Sequence, residues 1–270
     1  MSDNKLNQPA ELKIALHGAT GRMGAAVFGV CREQGVQIVG AAAAPNCPEI
    51  GLDLGDAHKT LTYGVEVTSN VADSLLGANV IIDFSTAAAM PTLIKAATAA
   101  KIPVVSGTTG LDSGAVDALR NLGNLVPVLW APNFSIGIEV LTELVRLAAK
   151  RLGPDFDIEI VEVHHRRKAD APSGTALRLA HEIEGVRDVV QCRGRDGLVG
   201  PRPAEELGVH AVRGGDVVGD HSVHILGIGE RLELTHRATS REVFARGALF
   251  AARVIAAKSP GFYRLADILP

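Results

Sequence analysis

The chain has 270 residues, of which 47% are hydrophobic and 21% are charged, and its net charge at pH 7 is −3. These values describe a globular protein and argue against a polyanionic partner such as a nucleic acid. The three cysteines are scattered and form no CxxC pair, which argues against a disulfide framework and favours a reducing compartment. Residues 1–10 form a polar tail without the apolar stretch of a signal peptide, and no run is long enough to span a bilayer. We therefore expect a cytoplasmic protein that binds neither nucleic acid nor membrane.

A glycine-rich turn follows the first predicted strand. Residues 12–17 (LKIALH) predict a short buried strand, Gly18–Gly24 (GATGRMG) follows at once, and residues 25–32 predict a helix. This order is typical of the phosphate-binding end of a dinucleotide fold, because glycines let a pyrophosphate approach the free amides of the helix. The GxxGxxG spacing is a variant of the commoner GxGxxG, and a tight turn that binds nothing is the alternative interpretation.

The second predicted strand, residues 37–44, lacks the acidic residue that usually holds the adenosine ribose. Ala42–Pro45 occupies that region, and the nearest carboxylates belong to Glu49 and Asp53. No arginine replaces the acid, although Arg22 is a candidate for contact with a 2′-phosphate. The choice between NADH and NADPH therefore stays open.

Three more predicted strands end in small or polar residues. Residues 80–85, 103–106 and 126–130 predict these strands, with an alanine-rich helix over residues 90–100 after the first of them. The segments that follow the last two strands are GTTG and APNFS. Because ligands of an open parallel sheet collect beyond the carboxyl ends of its strands, these ends predict a cofactor cleft.

The second half of the chain predicts a different sheet. A helix over residues 137–151 is expected to bury one face that carries Val140 or Leu141, Leu144, Val145 and Ala148. Strand patterns separated by glycine turns follow at residues 209–213, 222–226 and 231–236. In the last of these strands Leu232 and Leu234 are expected to point inward. The predicted fold class is α/β, with a Rossmann-type dinucleotide-binding domain and a second α+β domain that has a mixed sheet.

The densest group of polar residues is Glu162–Ala176 (EVHHRRKADAPSGTA), between a strand pattern and a helix pattern. A metal site is disfavoured, because the neighbouring strand residues His164 and His165 point to opposite faces and Glu162 adds only one ligand beside His164. A nucleic-acid patch at Arg166–Lys168 lacks interleaved aromatic residues. A solvated basic turn, in which Asp170 is an ion-pair partner, stays open.

The remaining interpretation of this cluster is a site for a small dianion. Clustered cations hold carboxylates, and the amides of Ser173, Gly174 and Thr175 at a helix start suit a second carboxylate. A histidine exchanges protons near neutral pH, and a lysine supplies a charge or a proton. Combined with a nicotinamide cofactor, such a group suits the reduction of a C=N or conjugated C=C bond in a dicarboxylate.

The segment His164–Ala176 (HHRRKADAPSGTA) closely resembles the signature of the 4-hydroxy-tetrahydrodipicolinate reductase family, formerly called dihydrodipicolinate reductase. The similarity covers nearly the whole chain. It includes GATGRMG at 18–24, IDFS at 82–85, GTTG at 107–110, APNFS at 131–135, RGGDVVG at 213–219 and GERLEL at 229–234.

The resemblance implies an oxidoreductase that transfers a hydride from NADH or NADPH to C4 of a dehydrated cyclic dicarboxylate. The product is tetrahydrodipicolinate, in the diaminopimelate branch of lysine biosynthesis. In such enzymes the residue matching His164 donates and accepts a proton, and the one matching Lys168 donates a proton. The expected substrate-binding residues are His165, Ser173, Gly174 and Thr175. The expected cofactor-binding residues are Gly18, Ala19, Thr20, Gly21, Arg22, Met23, Gly107, Thr108, Thr109, Ala131, Pro132, Asn133 and Phe134.

The resemblance also implies a homotetramer, with a last helix that returns to the first domain. We expect a dinucleotide-binding domain over residues 1–134 and 241–270, and a substrate-binding and oligomerisation domain over residues 135–240. The chain departs from the family at Ala43 and Ala44, where many members place an acidic residue against the ribose.

Two other functions are compatible with the sequence, and no metal is expected for any of the three. One is a non-catalytic NAD(P)-sensing module, against which the retained His164 and Lys168 argue. The other is a reductase of the same fold that acts on another cyclic imine dicarboxylate.

Overall fold

The computed structural model describes residues 11–270, so the polar tail predicted over residues 1–10 lies outside the described part of the chain. The chain divides into two compact units. The first consists of Met1–Phe134 with Glu242–Pro270, and the second of Ser135–Arg241. Among the helices in the described part, none is long and apolar enough to cross a membrane.

The helices and strands, in chain order, begin with those of the first unit. They are β1 (Lys13–His17), α1 (Arg22–Glu33), β2 (Gln37–Ala42), α2 (Leu54–Ala57), β3 (Val67–Thr68), α3 (Val71–Ser74), β4 (Val80–Asp83), α4 (Met90–Ala100), β5 (Val104–Ser106), α5 (Ser113–Leu122) and β6 (Pro127–Trp130). The second unit contains α6 (Ile136–Leu152), β7 (Asp157–His164), α7 (Gly174–Glu184), β8 (Val190–Cys192), β9 (Glu206–Arg213), β10 (Gly219–Gly227) and β11 (Glu230–Ala238). The chain then returns to the first unit with α8 (Glu242–Ile255) and β12 (Gly261–Tyr263).

The first unit is a seven-stranded parallel sheet with the order β12-β6-β5-β4-β1-β2-β3. Residues of α1 and α8 pack on one face of the sheet, and residues of α3, α4 and α5 pack on the other. Because both faces are covered, strands such as Val80–Asp83 are buried at every position. The order reverses on either side of β1, and this switch point is where an open α/β sheet binds its ligands.

The second unit is a five-stranded mixed sheet with the order β11-β10-β7-β9-β8. Strand β10 is antiparallel to both of its neighbours, whereas β7, β9 and β8 are parallel to one another. Helices α6 and α7 cover one face of the sheet, which we call the inner face, and pack there on residues such as Ile158, Ile160, Val209 and Val223. These two sheets confirm the predicted fold class.

Two predicted apolar faces differ from the structure. In α6 the buried stripe is Ile138, Leu141, Val145 and Ala149, while Val140 and Leu144 are exposed. Leu144 directly precedes the buried Val145 in the chain. Because a helix turns by about 100° at each residue, the side chain of Leu144 points away from the buried face. In β11, Leu234 packs on the core, but Leu232 is 40% exposed, because β11 is the edge strand of its sheet.

Candidate active site

The glycine turn connects the carboxyl end of β1 to α1. Gly18 has φ +75°, and a Cβ atom there would lie 2.5 Å from the carbonyl oxygen of Phe84. At Gly24, a Cβ atom would lie 2.2 Å from the carbonyl oxygen of Ala19. The N-cap of α1 is Gly21, which makes no side-chain cap hydrogen bond, and the first turn of the helix contains no acidic residue. The first amides of α1 are therefore available to an anionic ligand, as a bound pyrophosphate requires.

A cavity of about 500 Å³ lies beside this turn, within the first unit. Its wall comes from the glycine turn, the loop after β2, the start of α3 and the segment after β4. The lining includes His17, Gly18, Thr20, Gly21, Ala43, Ala44, Cys47 and Ser85. This cavity has the position and the glycine-lined wall that a dinucleotide requires, so the residues of this unit fit the cofactor.

The two carboxylates nearest the end of β2 have different surroundings. Asp53 caps α2 and accepts hydrogen bonds from four backbone amides, so it is committed to the loop around α2. Glu49 accepts a hydrogen bond from Sγ of Cys47 at 2.7 Å, and Sγ of Cys47 lies 3.1 Å from Oγ1 of Thr20. Glu49 is thus joined through Cys47 to the cavity wall that Ala44 also forms.

A buried carboxylate joins three strand ends behind the cavity. Oδ2 of Asp83, at the end of β4, accepts hydrogen bonds from Oγ of Ser106 at 2.6 Å and from Oγ1 of Thr108 at 2.8 Å. Its Oδ1 lies 2.9 Å from Nδ1 of His17 and accepts from the amide of Ser85. Burial raises the pKa of Asp83, but these contacts outweigh burial and hold the pKa below its ordinary value. An ionised carboxylate therefore fixes the ends of β1, β4 and β5.

The other predicted cofactor residues follow β5 and β6. Because these strands are neighbours in a parallel sheet, Gly107–Thr109 and Ala131–Phe134 lie at the same edge as the glycine turn. Two of the side chains are engaged in the protein itself. Thr108 donates to Asp83, and the buried ring of Phe134 lies 5.8 Å from that of Phe84.

In the second unit, His164 and Glu162 share the inner face of β7. They are two residues apart on a strand whose side chains alternate between faces. Nδ1 of His164 lies 2.6 Å from Oε2 of Glu162. Glu162 is fully buried and His164 is nearly so.

Two other elements also contact Glu162. Parallel pairing places Arg213 of β9 beside His164, and its guanidinium donates to both oxygens of Glu162, at 2.7 Å each. The amide of Ser173 donates to the same carboxylate at 2.9 Å. Ser173 is the N-cap of α7, where its Oγ accepts from the amide of Ala176. Burial raises the pKa of Glu162, but the hydrogen bonds, led by those from Arg213, hold it below its ordinary value.

Two more histidines extend this polar row across the sheet. Strand pairing places His221 of β10 opposite Glu162, and His236 of β11 opposite His221. Nε2 of His221 lies 3.0 Å from Oγ of Ser173, and Nε2 of His236 lies 3.1 Å from Oγ of Ser135, the N-cap of α6. Burial lowers the pKa of His221 to about 3, so this imidazole is neutral at physiological pH and shares a hydrogen bond with the Ser173 hydroxyl.

Lys168 lies in the loop between β7 and α7. Its Nζ is 2.9 Å from Oδ1 of Asp170, which is the ion pair expected for a solvated basic turn. The loop is also fixed by backbone contacts, because the amide of His165 donates to the carbonyl of Val217 and Arg213 donates to that of Asp170. The ion pair therefore occurs in a loop that is anchored at both ends.

Some of the groups around His164 lower its pKa and others raise it. Burial is the largest influence and lowers the pKa, whereas the hydrogen bond and the charge of Glu162 raise it. The nearby cations of Lys168 and Arg213 lower it again, and the result lies below the ordinary value for histidine. The lowered pKa favours the neutral imidazole, which is able to accept a proton.

The structure thus brings His164 and Ser173 together through Glu162, while Gly174 is the first residue of α7 and is followed by Thr175. Within residues 11–270, no group of three His, Cys, Asp or Glu side chains could hold a metal ion. Glu162 and His221 were not predicted as site residues. The two-residue spacing from His164 indicates the face of Glu162, whereas the position of His221 depends on a strand register that is not evident in the sequence.

Comparison with known proteins identifies the family. A model of the dihydrodipicolinate reductase N-terminus matches residues 12–134, and one of the C-terminus matches residues 137–269. A 4-hydroxy-tetrahydrodipicolinate reductase of Anaeromyxobacter dehalogenans (strain 2CP-C) is 42% identical over 262 residues, which cover 95% of this chain and 97% of the relative. The enzyme of the same name from Myxococcus xanthus is 41% identical over 264 residues, which cover 96% and 97%.

A solved structure supports the same conclusion. The dipicolinate-bound dihydrodipicolinate reductase from Paenisporosarcina sp. TG-14 has a TM-score of 0.76 and 25% identity, and the match covers 96% of this chain and 99% of that one. These findings confirm the family resemblance and the predicted nicotinamide-dependent oxidoreductase, and they favour it over a sensing module. The chain is an NAD(P)H-dependent enzyme that belongs to the dihydrodipicolinate reductase family.

Proposed function

We propose that this chain reduces the dehydrated form of 4-hydroxy-tetrahydrodipicolinate to tetrahydrodipicolinate, in lysine and diaminopimelate biosynthesis. The observation that carries the proposal is the shared carboxylate of Glu162. It holds His164, a proton-exchanging group, and Ser173, the start of a helix whose amides suit a carboxylate. Reduction of a cyclic dicarboxylate needs both functions in one place.

The first unit would hold the dinucleotide and the second unit the substrate. The pyrophosphate would lie against the amides at the start of α1, beside Gly18–Met23, with further contacts from Gly107–Thr109 and Ala131–Phe134. When bound, the reduced nicotinamide supplies the hydride. Ala43 and Ala44 leave the wall at the adenosine end apolar, so we propose that the preference between NADH and NADPH is weak.

His164 and Lys168 would handle the proton that the reduction requires. His164 exchanges a proton at Nε2, because Nδ1 is directed at Glu162. Lys168 would leave its ion pair with Asp170 and approach the substrate. Its ammonium would there donate a proton or stabilise a negative charge on the substrate. Asp170 would then hold the lysine in the loop when substrate is absent.

The substrate carboxylates would bind at the N-terminus of α7. Ser173 caps this helix, and the amides of Gly174 and Thr175 lie in its first turn. The positive end of the helix dipole favours an anion there. The relative from Paenisporosarcina was solved with dipicolinate bound. In this chain we expect that planar dicarboxylate to bind at the N-terminus of α7 and to inhibit the reaction by competing with the substrate. His165 would contact the same ligand.

We also propose a cytoplasmic homotetramer that assembles through the second unit. The outer face of its sheet has no helix packed on it among the described residues, and it leaves Val212 exposed. Leu198, Val199 and Ile228 are exposed on loops of the same unit. Burial of such apolar groups stabilises association. Light scattering should give four times the 28.2 kDa of one chain, and a monomer would contradict the proposal.

A coupled assay tests the reaction. Dihydrodipicolinate synthase would supply the substrate, and the loss of absorbance of NADH or NADPH would be followed with each cofactor in turn. We expect oxidation that depends on the synthase product. If folded protein oxidises neither cofactor, the proposed function is wrong.

A further inference from the structure

The carboxylate of Glu162 joins three separate elements of the second unit. Oε2 contacts Nδ1 of His164 at 2.6 Å and a guanidinium nitrogen of Arg213 at 2.7 Å. Oε1 accepts from the other guanidinium nitrogen of Arg213 at 2.7 Å and from the amide of Ser173 at 2.9 Å. Each oxygen thus has two donors, and the side chain has no exposed surface. Such a carboxylate is held in one position.

These contacts determine which nitrogen of His164 is available for chemistry. An ionised carboxylate only accepts hydrogen bonds, so Nδ1 of His164 must carry the hydrogen that lies between it and Glu162. The nitrogen that gains and loses a proton is therefore Nε2. Gly219 of β10 lies beside this nitrogen, where a Cβ atom would approach within 2.9 Å.

We propose that Glu162 is a positioning residue with two simultaneous effects: it fixes the tautomer of His164, and it fixes the start of α7 through Ser173. One side chain thereby sets the spacing between the proton-exchanging nitrogen and the amides that receive a substrate carboxylate. The inference rests on the proposed function, since it concerns how the same site is held in its working geometry. Arg213 supplies the charge that keeps the buried carboxylate ionised.

The charged and titratable groups around His164 define how pH should reveal this role. Glu162 faces it from its own strand, Lys168 from the loop that follows, Arg213 from β9, and the neutral His221 from β10 with ring centroids 5.1 Å apart. Glu162 is the anion of this group, and the two cations oppose it. Loss of the negative charge should therefore make the His164 imidazolium harder to form.

The variant Glu162→Gln tests the inference. A glutamine amide has one acceptor oxygen in place of two, so its NH2 group faces either His164 and Arg213 or Arg213 and Ser173. In the first case a contact is lost or the imidazole adopts the other tautomer, in the second the contact to the start of α7 is lost, and in both cases the negative charge beside His164 is removed. We expect kcat to fall about a hundredfold, within the range of about 10²–10⁴ for a general acid or base. The alkaline limb of the pH profile of kcat should move to lower pH. The dissociation constant of NADH, measured by fluorescence, should change less than twofold.

Glu139→Gln is the matched control. Glu139 is also buried and also accepts two hydrogen bonds from one arginine, Arg178, at 2.8 and 2.5 Å, but it contacts neither His164 nor Ser173. A decrease in kcat that arises only from breaking a buried arginine–carboxylate pair would appear in both variants. We expect the control to keep the wild-type pH profile.

Three results separate the possibilities. If the wild-type chain does not oxidise either cofactor in the coupled assay, the proposed function fails and not the positioning role. If the wild type is active and the alkaline limb of the pH profile of kcat lies at the same pH in Glu162→Gln as in the wild type, the inference is overturned. If Glu162→Gln does not fold, ¹⁵N spectra of histidine-labelled wild-type protein decide. Neutral His164 should carry its hydrogen on Nδ1, and a hydrogen on Nε2 overturns the inference.

Discussion

A Cβ atom on Gly219 would lie 2.9 Å from Nε2 of His164, so the missing side chain of one residue leaves room beside the imidazole of the other. Gly219 opens β10, and its φ is not in the left-handed region. Space beside His164, and not an unusual backbone conformation, is therefore what glycine provides here.

Gly219→Ala should accordingly lower turnover without unfolding the protein. The added methyl group forces the imidazole to shift, and overpacking of this kind costs about 1–3 kcal/mol. We expect kcat to fall about tenfold or more, because ~1.4 kcal/mol in a barrier is a factor of ten in rate. Steady-state kinetics would measure this, and Gly29→Ala serves as the control for an added methyl group, because Gly29 is exposed, its φ is not in the left-handed region and no atom lies within 4 Å of the added Cβ atom. An unchanged kcat in Gly219→Ala would show that the imidazole of His164 can move without a decrease in turnover.

Lys168→Ala should abolish most turnover and leave cofactor binding nearly intact. The ammonium lies next to Asp170 in the loop that follows His164, and its loss removes the proton donor that we propose. We expect a drop in kcat of about 10²–10⁴, the usual range for a general acid. NADH binding would be followed by fluorescence, with the exposed Lys150→Ala as a control for loss of a cation. An equal loss of turnover and cofactor binding would mean that Lys168 is structural.

The sequence predicted the fold class and the family because these depend on short-range patterns. The glycine turn lies between β1 and α1 as GATGRMG requires, and the parallel strands follow from their continuous apolar runs. The N-cap at Ser173 could likewise be predicted, because a capping hydroxyl acts within three residues of its own position.

The network around His164 depends instead on strand order. Glu162 could be placed on the same face by counting two residues, but Arg213 reaches it from a strand 51 residues away. His221 lies opposite Glu162 only because β10 is antiparallel to β7 in one particular register. A register shift of a single residue would turn these side chains to the other face.

His221→Gln should make the protein less sensitive to acid. Burial lowers the folded-state pKa of His221 to about 3, whereas an unfolded histidine titrates near ~6.5. Between these values the unfolded chain binds a proton that the folded chain does not. Stability from this group is therefore complete above about pH 6.5 and is lost as the pH falls toward 3. The largest slope from one such group is ~1.4 kcal/mol per pH unit.

The measurement is the free energy of unfolding in urea at pH 7.5 and 5.5. Burial likewise lowers the pKa values of His164 and His236, so the wild type should lose stability over this interval. We expect the loss in His221→Gln to be smaller by about 1 kcal/mol. His181→Gln is the control, because the side chain of His181 is 85% exposed. An identical loss in His221→Gln and the wild type would show that His221 is not held neutral.

Ala44→Glu should shift the cofactor preference toward NADH. Ala44 is exposed and lines the cavity beside the glycine turn, at the end of β2 where a carboxylate usually accepts from the ribose hydroxyls. A carboxylate there would also repel a 2′-phosphate. We expect the ratio of kcat/KM for NADH to that for NADPH to rise about tenfold, which corresponds to ~1.4 kcal/mol. Asn46→Glu adds the same charge to the same loop outside the cavity lining and should leave the ratio nearly unchanged. An equal change in both variants would mean that the ratio follows the net charge of the loop, and that the adenosine end of the cofactor lies away from Ala44.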